Sequence, residues 1–165
     1  MRANVGGFEM NRPRRISLVL VSAVALAVAI IEGSRQVDAS AEDEAMAVLD
    51  RYMEAFNARD EVAWAKTLNY PHVRIASRAV RVWQNEQEYT DYMDFDRFAA
   101  QSGGWSRSQW DSRTIVQEGE DKVHLAVGFT RFNEKGEKIE SFDSLYIVTK
   151  VDGHWGVQAR SSFAP

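Results

Sequence analysis

The chain has 165 residues, of which 45% are hydrophobic and 27% charged, and its formal net charge is −4. This size and composition predict one globular domain rather than a disordered or collagen-like chain. Because there is no cysteine, the sequence excludes a disulfide framework, cysteine-ligated zinc, an iron–sulfur cluster and a thiol nucleophile.

The first part of the chain has the layout of an export segment. Residues 16–31 are apolar except for Ser17 and Ser22, and arginines precede them. A basic start followed by an apolar run is typical of a signal peptide, and this run is shorter than the roughly 20 residues of a spanning helix. We therefore predict that residues 1–41 are an export signal cleaved near 39–41, and that the protein is periplasmic or secreted. A membrane anchor formed by residues 16–31 is the alternative.

The rest of the chain, residues 42–165, is acidic. It holds 15 Lys and Arg against 21 Asp and Glu, a net charge of −6. Nucleic-acid phosphates require clustered Lys and Arg, so we expect no nucleic-acid partner. Contact with a membrane is expected only through the N-terminal segment, if that segment is not cleaved.

This domain begins with a predicted amphipathic helix. Ser40, with Asp43 three residues later, resembles a capping box, and acidic residues crowd the first turn. Apolar residues then recur at the spacing of one helix face: Ala45, Val48, Leu49, Tyr52 and Phe56.

Two shorter helices are predicted further along the chain. Asp60 can cap the second helix, which Pro71 ends because the residue before a proline is forced out of helical geometry. Asn85 and Glu88 form a capping pair that opens the third helix, and Gly103-Gly104 stops it.

Six strands are predicted. His72–Ser77 and Ala79–Trp83 lie between the second and third helices, and alternation puts His72 on the face opposite Val73 and Ile75. The other four follow the third helix, at about 105–118, 122–132, 138–151 and 154–163. The order ααββαββββ predicts an α+β fold in which a curved, mostly antiparallel sheet wraps around three N-terminal helices.

Three motifs accompany this order: Arg51-Tyr52-x-x-Ala55-x-Asn57-x-x-Asp60, Asp152-Gly153-x-Trp155 and the terminal Arg160-Ser161-Ser162. With them, residues 42–165 resemble the nuclear transport factor 2-like cone fold that ketosteroid isomerase, scytalone dehydratase and SnoaL-like polyketide cyclases share. Through residues 70–74, 144–148 and 158–163 the chain is also similar to a bacterial SnoaL-like group of unassigned function. The resemblance implies the fold, and it implies no activity by itself.

The resemblance allows one test of isomerase chemistry. Isomerases of this fold place a tyrosine on the first helix and an aspartate base on the first strand, and Tyr52 matches the tyrosine. The aspartate position falls on Ile75, or on Ala76 after a slip of one residue. Neither side chain can accept a proton, so steroid-isomerase chemistry in its usual form is not expected.

Tyr52 and His72 are the candidate catalytic pair. Tyr52 is either a core tyrosine or a hydrogen-bond donor pointing into the cone. His72 is either a structural histidine at the start of a strand or a base, since an unperturbed imidazole titrates near pH 6.5.

The candidate ligand-binding residues are aromatic or basic. An aromatic lining suits a flat apolar ligand, although the same side chains also suit a core. Arginines inside a cone must be ion-paired, with Asp143 or Glu140 as possible partners, or must meet an anion. Arg74 is a third arginine in a predicted strand, beside Arg131 and Arg160. The candidate ligand-binding residues are Trp83, Tyr89, Trp110, Arg131, Tyr146 and Arg160.

No metal or cofactor is expected. Asp91, Asp94 and Asp96 do not share one helix face and have no histidine nearby, which indicates a solvated acidic surface rather than a metal site.

The leading functional prediction is an exported cone-fold protein that binds a small apolar or aromatic molecule. A dehydratase- or cyclase-type enzyme using Tyr52 with His72 is the first alternative, and a non-catalytic dimerising interaction module is the second.

A homodimer is also predicted. Ala126, Gly128 and Phe132 on one strand, and Leu145 and Ile147 on the next, leave apolar groups on the second face of the sheet. A second copy would cover this convex face and bury at least about 1,000 Å².

Overall fold

The computed structural model describes residues 39–77 and 79–164. In this part of the chain the helices are α1 (Ala41–Ala58), α2 (Glu61–Ala65), α3 (Glu86–Tyr92) and α4 (Phe95–Gln101). The strands are β1 (Leu68–Ala76), β2 (Ala79–Trp83), β3 (Trp105–Glu118), β4 (Lys122–Asn133), β5 (Lys138–Val151) and β6 (His154–Ser162).

The predicted export segment lies outside the described residues, except for positions 39–41. Among the helices that the structure describes, none is both long and apolar enough to cross a membrane.

The six strands form one curved, unclosed sheet in the order β2-β1-β6-β5-β4-β3. Every neighbouring pair is antiparallel except β1 and β6, which are the first and last strands of the chain and run parallel. The α+β class and the curved, mostly antiparallel sheet are therefore confirmed. Consecutive strands β3 to β6 pair with each other because short turns connect them, as the sequence predicted.

Helix α1 forms as its sequence pattern predicts. The Ser40 hydroxyl accepts a hydrogen bond from the Asp43 backbone N–H at 3.1 Å, and the Asp43 carboxylate accepts from Ser40 in return. The apolar face of the helix packs against the concave side of the sheet and includes the fully buried Val48 and Leu49. Burying this face supplies most of the helix's stability.

The predicted third helix is two helices, so the described fold has four. Met93 adopts an extended conformation after α3, and the Asp94 carboxylate then caps α4 by accepting from the Arg97 backbone N–H at 2.8 Å. The chain gains a new helix direction here because Asp94 satisfies one of the free N–H groups of a second helix start.

The start of β1 also differs from the prediction. Helix α2 ends at Ala65, and the chain enters β1 at Leu68, three residues before Pro71. Pro71 lies inside the strand, after a cis peptide bond.

The faces of β1 and β2 are the reverse of what apolar alternation suggests. His72 does lie opposite Val73 and Ile75, but its own face is the buried one. His72 is fully buried, whereas Ile75 and its cross-strand partner Val80 are 47% and 66% exposed. The inward positions of these two strands therefore carry polar and basic side chains, including Arg74.

The outward face of β4 and β5 matches the prediction in part. Ala126 and Leu145 are exposed, Ile147 and Phe132 are partly buried, and Gly128 is buried. The homodimer through this face stays a prediction.

Candidate functional site

A cavity of about 650 Å³ lies on the inner side of β1 and β2, next to α3 and α4. We call it the arginine cavity, because Arg74, Arg131 and Arg160 all line it and Arg81 lies at its wall. The aromatic side chains that line it are Phe56, Trp64, Trp83, Tyr89, Tyr92, Phe98 and Phe163. Among the described residues that line it there is no aspartate or glutamate.

Arg160 is held by tyrosines and a tryptophan. Its Nη1 donates to the Tyr52 hydroxyl at 2.5 Å, and its Nη2 donates to the Tyr89 hydroxyl at 3.3 Å. The guanidinium carbon lies 5.5 Å from the centre of the Trp64 ring, a distance at which a cation is attracted to the π face. The buried Nε has no hydrogen-bond acceptor among the described residues.

The guanidinium of Arg160 stays protonated in these surroundings. Burial alone would lower the pKa of the guanidinium, but the oxygens of Tyr52 and Tyr89 raise it, and the net direction is upward. Burial raises the pKa of Tyr89 to about 12, even though Arg160 lowers it. At neutral pH, therefore, the tyrosine hydroxyls are neutral, and the arginine keeps a positive charge that no carboxylate among the described residues pairs with.

Arg131 lies in a cage of phenylalanines. Its guanidinium carbon is 4.9 Å from the ring centre of Phe98, 4.8 Å from that of Phe142 and 5.8 Å from that of Phe129. The residue is only 6% exposed, and the described residues offer its buried Nε no acceptor. Burial, with the neighbouring charges of Arg74 and Arg160, lowers the pKa of Arg131 to about 10. Arg131 is thus charged at neutral pH, and among the described residues its side chain contacts aromatic faces.

The predicted carboxylate partners do not neutralise these charges. The described residues contain two ion pairs, Arg59–Asp96 and Arg113–Asp50, and neither involves Arg131 or Arg160. Glu140 is the cross-strand neighbour of Arg131 but is exposed.

Arg74 contributes further positive charge to the cavity. Its Nη2 donates to the carbonyl of Ala164 at 3.3 Å, which ties the end of the chain to β1.

Tyr52 and His72 do not line the arginine cavity. Tyr52 is buried behind Arg160, where its ring packs on Trp64 and Tyr146 at 5.3 Å and 5.6 Å between ring centres. Burial raises the pKa of the Tyr52 hydroxyl well above its usual range. Its described contacts are those of a group that positions Arg160. Its proposed catalytic role stays a prediction.

His72 lies in an aromatic and backbone setting. Its ring stacks on Trp83 at 5.8 Å and meets the edge of Tyr89 at 5.6 Å. The Nδ1–H donates to the carbonyl of Val157 at 2.9 Å, so Nε2 is the unprotonated nitrogen, and no donor among the described residues reaches it. Burial, with the charge of Arg160, lowers the pKa of His72 to about 3. The imidazole is therefore neutral at physiological pH.

His72 makes the folded state sensitive to acid. Because its pKa is lower in the folded chain than the ordinary value of about 6.5, the unfolded chain binds the proton more tightly. The stabilising contribution is complete above about pH 6.5 and is lost as the pH falls toward 3. Between pH 7 and pH 4 the free energy of unfolding falls as His72 becomes protonated. We expect this fall to be smaller by about 3 kcal/mol in His72→Phe than in the unmodified protein. Urea denaturation at a series of pH values measures this.

His124→Gln on β4 is the matched control, because His124 is only partly buried. It should keep the acid dependence of the unmodified protein. If His72→Phe keeps the same dependence too, His72 is not the neutral buried group described above.

The six predicted ligand-binding residues fall into two groups. Trp83, Tyr89, Arg131 and Arg160 line the arginine cavity. Trp110 and Tyr146 do not: the Trp110 Nε1–H donates to the Leu49 carbonyl at 3.2 Å, and its ring meets Tyr146 edge-on. Tyr146 is 2% exposed, and its ring meets that of Tyr52 edge-on at 5.6 Å between ring centres. Both pack behind the residues that line the cavity.

Sequence reasoning did not single out Trp64 and Phe98 as site residues. Both have the spacing of core positions on their helices, so periodicity assigns them to packing. Their role is to offer ring faces to Arg160 and Arg131. The one signal in the sequence is the presence of arginines at inward strand positions, because buried guanidinium groups require partners such as ring faces. The described residues contain no cluster of three or more His, Asp or Glu side chains that could hold a metal ion.

A family comparison agrees with this architecture. The sequence model of the family described as "NTF2-like protein (DUF6841)" matches residues 42–162. The chain belongs to this nuclear transport factor 2-like family, which confirms the resemblance in the sequence. No curated protein matches the chain.

Solved structures share the fold at low sequence identity. A protein of unknown function with a cystatin-like fold from Nostoc punctiforme is 17% identical, with a TM-score of 0.59 over 75% of this chain and 92% of that one. An NTF2-like protein of unknown function from Shewanella oneidensis is 16% identical, with a TM-score of 0.59 over 74% and 98%. A ketosteroid isomerase-like protein from Erwinia carotovora is 18% identical, with a TM-score of 0.52 over 74% and 95%. At these identities the likeness shows the fold alone.

Proposed function

We propose that this protein binds a small organic anion with an aromatic or apolar body in the arginine cavity. One observation carries the proposal. Arg131 and Arg160 line one cavity, each with a buried Nε that lacks an acceptor, and no acidic side chain is among the described residues around them.

The physical reason is the cost of burying charge. A guanidinium removed from water loses several kcal/mol of solvation, and aromatic faces return only about 0.5–2 kcal/mol. Such a group is retained in a cavity when an anion compensates it. A carboxylate suits arginine well, because the planar guanidinium fork offers two parallel hydrogen bonds.

The rest of the wall supports an apolar body for the ligand. Trp83, Tyr89 and Phe98 present ring surfaces to the same space. A volume of about 650 Å³ falls within the range of small-molecule pockets, which combine apolar walls with a few polar groups that orient the ligand. The predicted export signal would place this binding in the periplasm or outside the cell.

The test compares an anion with a neutral molecule of the same shape. Naphthalene-2-carboxylate and naphthalene-2-carboxamide are titrated into the full-length protein by isothermal calorimetry, together with benzoate and benzamide. We expect each carboxylate to bind at least tenfold more tightly than its amide, and this preference should weaken at high salt. Equal affinity for the acid and the amide, or no binding of either carboxylate, would contradict the proposal.

A further inference from the structure

We infer that the anion bound in the arginine cavity carries two separate acidic groups, one held by Arg160 and the other by Arg131. This inference rests on the anion-binding function proposed above and narrows it to a class of ligand, the dicarboxylates with an aromatic or apolar spacer.

The two arginines reach the cavity from different levels of the sheet. Arg160 is the cross-strand partner of Tyr146 on β5, whereas Arg131 is the partner of Glu140 on the same strand. These partners are six positions apart, which is about 20 Å along a strand at about 3.3 Å per residue. The guanidinium groups therefore enter one space from separate origins and do not form a single side-by-side clamp on the sheet.

Each guanidinium also has its own fixed surroundings. Arg160 is held by the hydroxyls of Tyr52 and Tyr89 and by the Trp64 face, while Arg131 is surrounded by phenylalanine rings. Since both groups are packed, neither can swing freely to share an anion held by the other. The buried Nε of each has no hydrogen-bond acceptor among the described residues.

The charge balance favours two acidic groups over one. A monocarboxylate paired with Arg160 would leave the charge of Arg131 buried and uncompensated, and the two positive charges already disfavour each other, as the lowered pKa of Arg131 shows. A dicarboxylate compensates both. The aromatic side chains that line the cavity would then contact the spacer.

The experiment compares mono- and dicarboxylates of the same ring system by calorimetry on the full-length protein. The pairs are benzoate with terephthalate and naphthalene-2-carboxylate with naphthalene-2,6-dicarboxylate, which separate the two acidic groups by one and two rings. We expect at least one dicarboxylate to bind tenfold or more tightly than its monocarboxylate. We also expect 2-naphthyl phosphate, whose two charges lie on one group, to bind less tightly than that dicarboxylate.

Variants test whether the second acidic group binds Arg131. Arg131→Met should weaken binding of the dicarboxylate by a factor at least ten times larger than it weakens binding of the monocarboxylate. Arg131→Gln, which leaves a polar side chain instead of an apolar one, should do the same. Arg107→Met is the matched control, because Arg107 is exposed on β3 and stacks on Phe132 at 4.0 Å, outside the cavity. It should leave both affinities unchanged.

The outcomes separate the two proposals. If the monocarboxylates bind in preference to their amides but no dicarboxylate is tighter, or if the phosphate equals the best dicarboxylate, the two-group inference is wrong and the anion-binding function stands. If no carboxylate binds, both are wrong.

Discussion

Replacing Arg160 with methionine is expected to weaken binding of naphthalene-2-carboxylate about 100-fold while leaving the fold intact. The variant removes the guanidinium that the cavity presents to the acid, and a hydrogen-bonded charge pair of about 3 kcal/mol corresponds to this factor. Methionine fills similar space, and removing a buried charge that has no carboxylate partner relieves its desolvation cost. We therefore expect the free energy of unfolding to fall by no more than about 1 kcal/mol despite the loss of the two tyrosine hydrogen bonds.

Calorimetry measures the affinity, and urea denaturation measures the stability. Arg107→Met again serves as the control for losing an arginine elsewhere on the sheet. An unchanged affinity in the Arg160 variant would show that the acid does not bind at this guanidinium. A large loss of stability with no ligand present would show instead that Arg160 is already compensated within the protein.

Trp105→Ala is expected to lower the free energy of unfolding by about 4 kcal/mol. Trp105 is 1% exposed at the start of β3, and its ring contacts Phe56 at 4.7 Å and Phe98 at 5.2 Å between ring centres. Its Nε1–H donates to the Ser108 hydroxyl at 2.9 Å. Truncating such a tryptophan leaves a large void and typically costs about 3–5 kcal/mol.

Two companion variants make this measurement specific. Trp105→Phe keeps most of the volume and loses the hydrogen bond, so it should cost less than half as much as the alanine variant. Val116→Ala lies on the same strand but is 56% exposed, so it should change stability by less than about 0.5 kcal/mol. A cost below about 1 kcal/mol for Trp105→Ala would mean that the aromatic cluster between α1, α4 and β3 is not tightly packed. Phe56 and Phe98 also line the arginine cavity, so ligand affinity should fall in this variant as well.

Local chemistry made the fold class and most of the elements predictable. The capping pair at Ser40 and Asp43 and the period of α1 mark a helix whatever surrounds it, because capping and amphipathicity act within a few residues. The turn at Asp152-Gly153 marks a hairpin for the same reason, with both residues at positive φ. The boundary between α3 and α4 at Asp94 is also set locally, since the Asp94 side chain caps α4. It was not predicted because the apolar spacing continues through this position.

The site was predictable only in part. Four of the six proposed ligand-binding residues line the cavity: Trp83, Arg131 and Arg160 from strands and Tyr89 from α3. Trp110 and Tyr146 could not be told apart from them by sequence, since a wall residue and the residue behind it carry the same apolar, aromatic character. Trp64 and Phe98 were passed over because each offers a ring face to an arginine that is distant in the sequence, Arg160 for Trp64 and Arg131 for Phe98.

Which face of β1 is buried was decided by tertiary structure. Alternation alone puts His72 and Arg74 on one face of β1 and Val73 and Ile75 on the other, but it does not say which face is buried. The usual burial of apolar side chains favours the face of Val73 and Ile75, which is the wrong one. The pairing of β1 with β6 and with β2, and the cover of α3, decide the matter. They bring Val157, Trp83 and Tyr89, respectively, against His72. Sequence by itself determined α1, the turns and the family, because these depend on neighbours in the chain. Arg131 and Arg160 converge on one cavity whose described lining holds no carboxylate, because the curved sheet places β4 and β6 on either side of β5. Only the folded structure decides this.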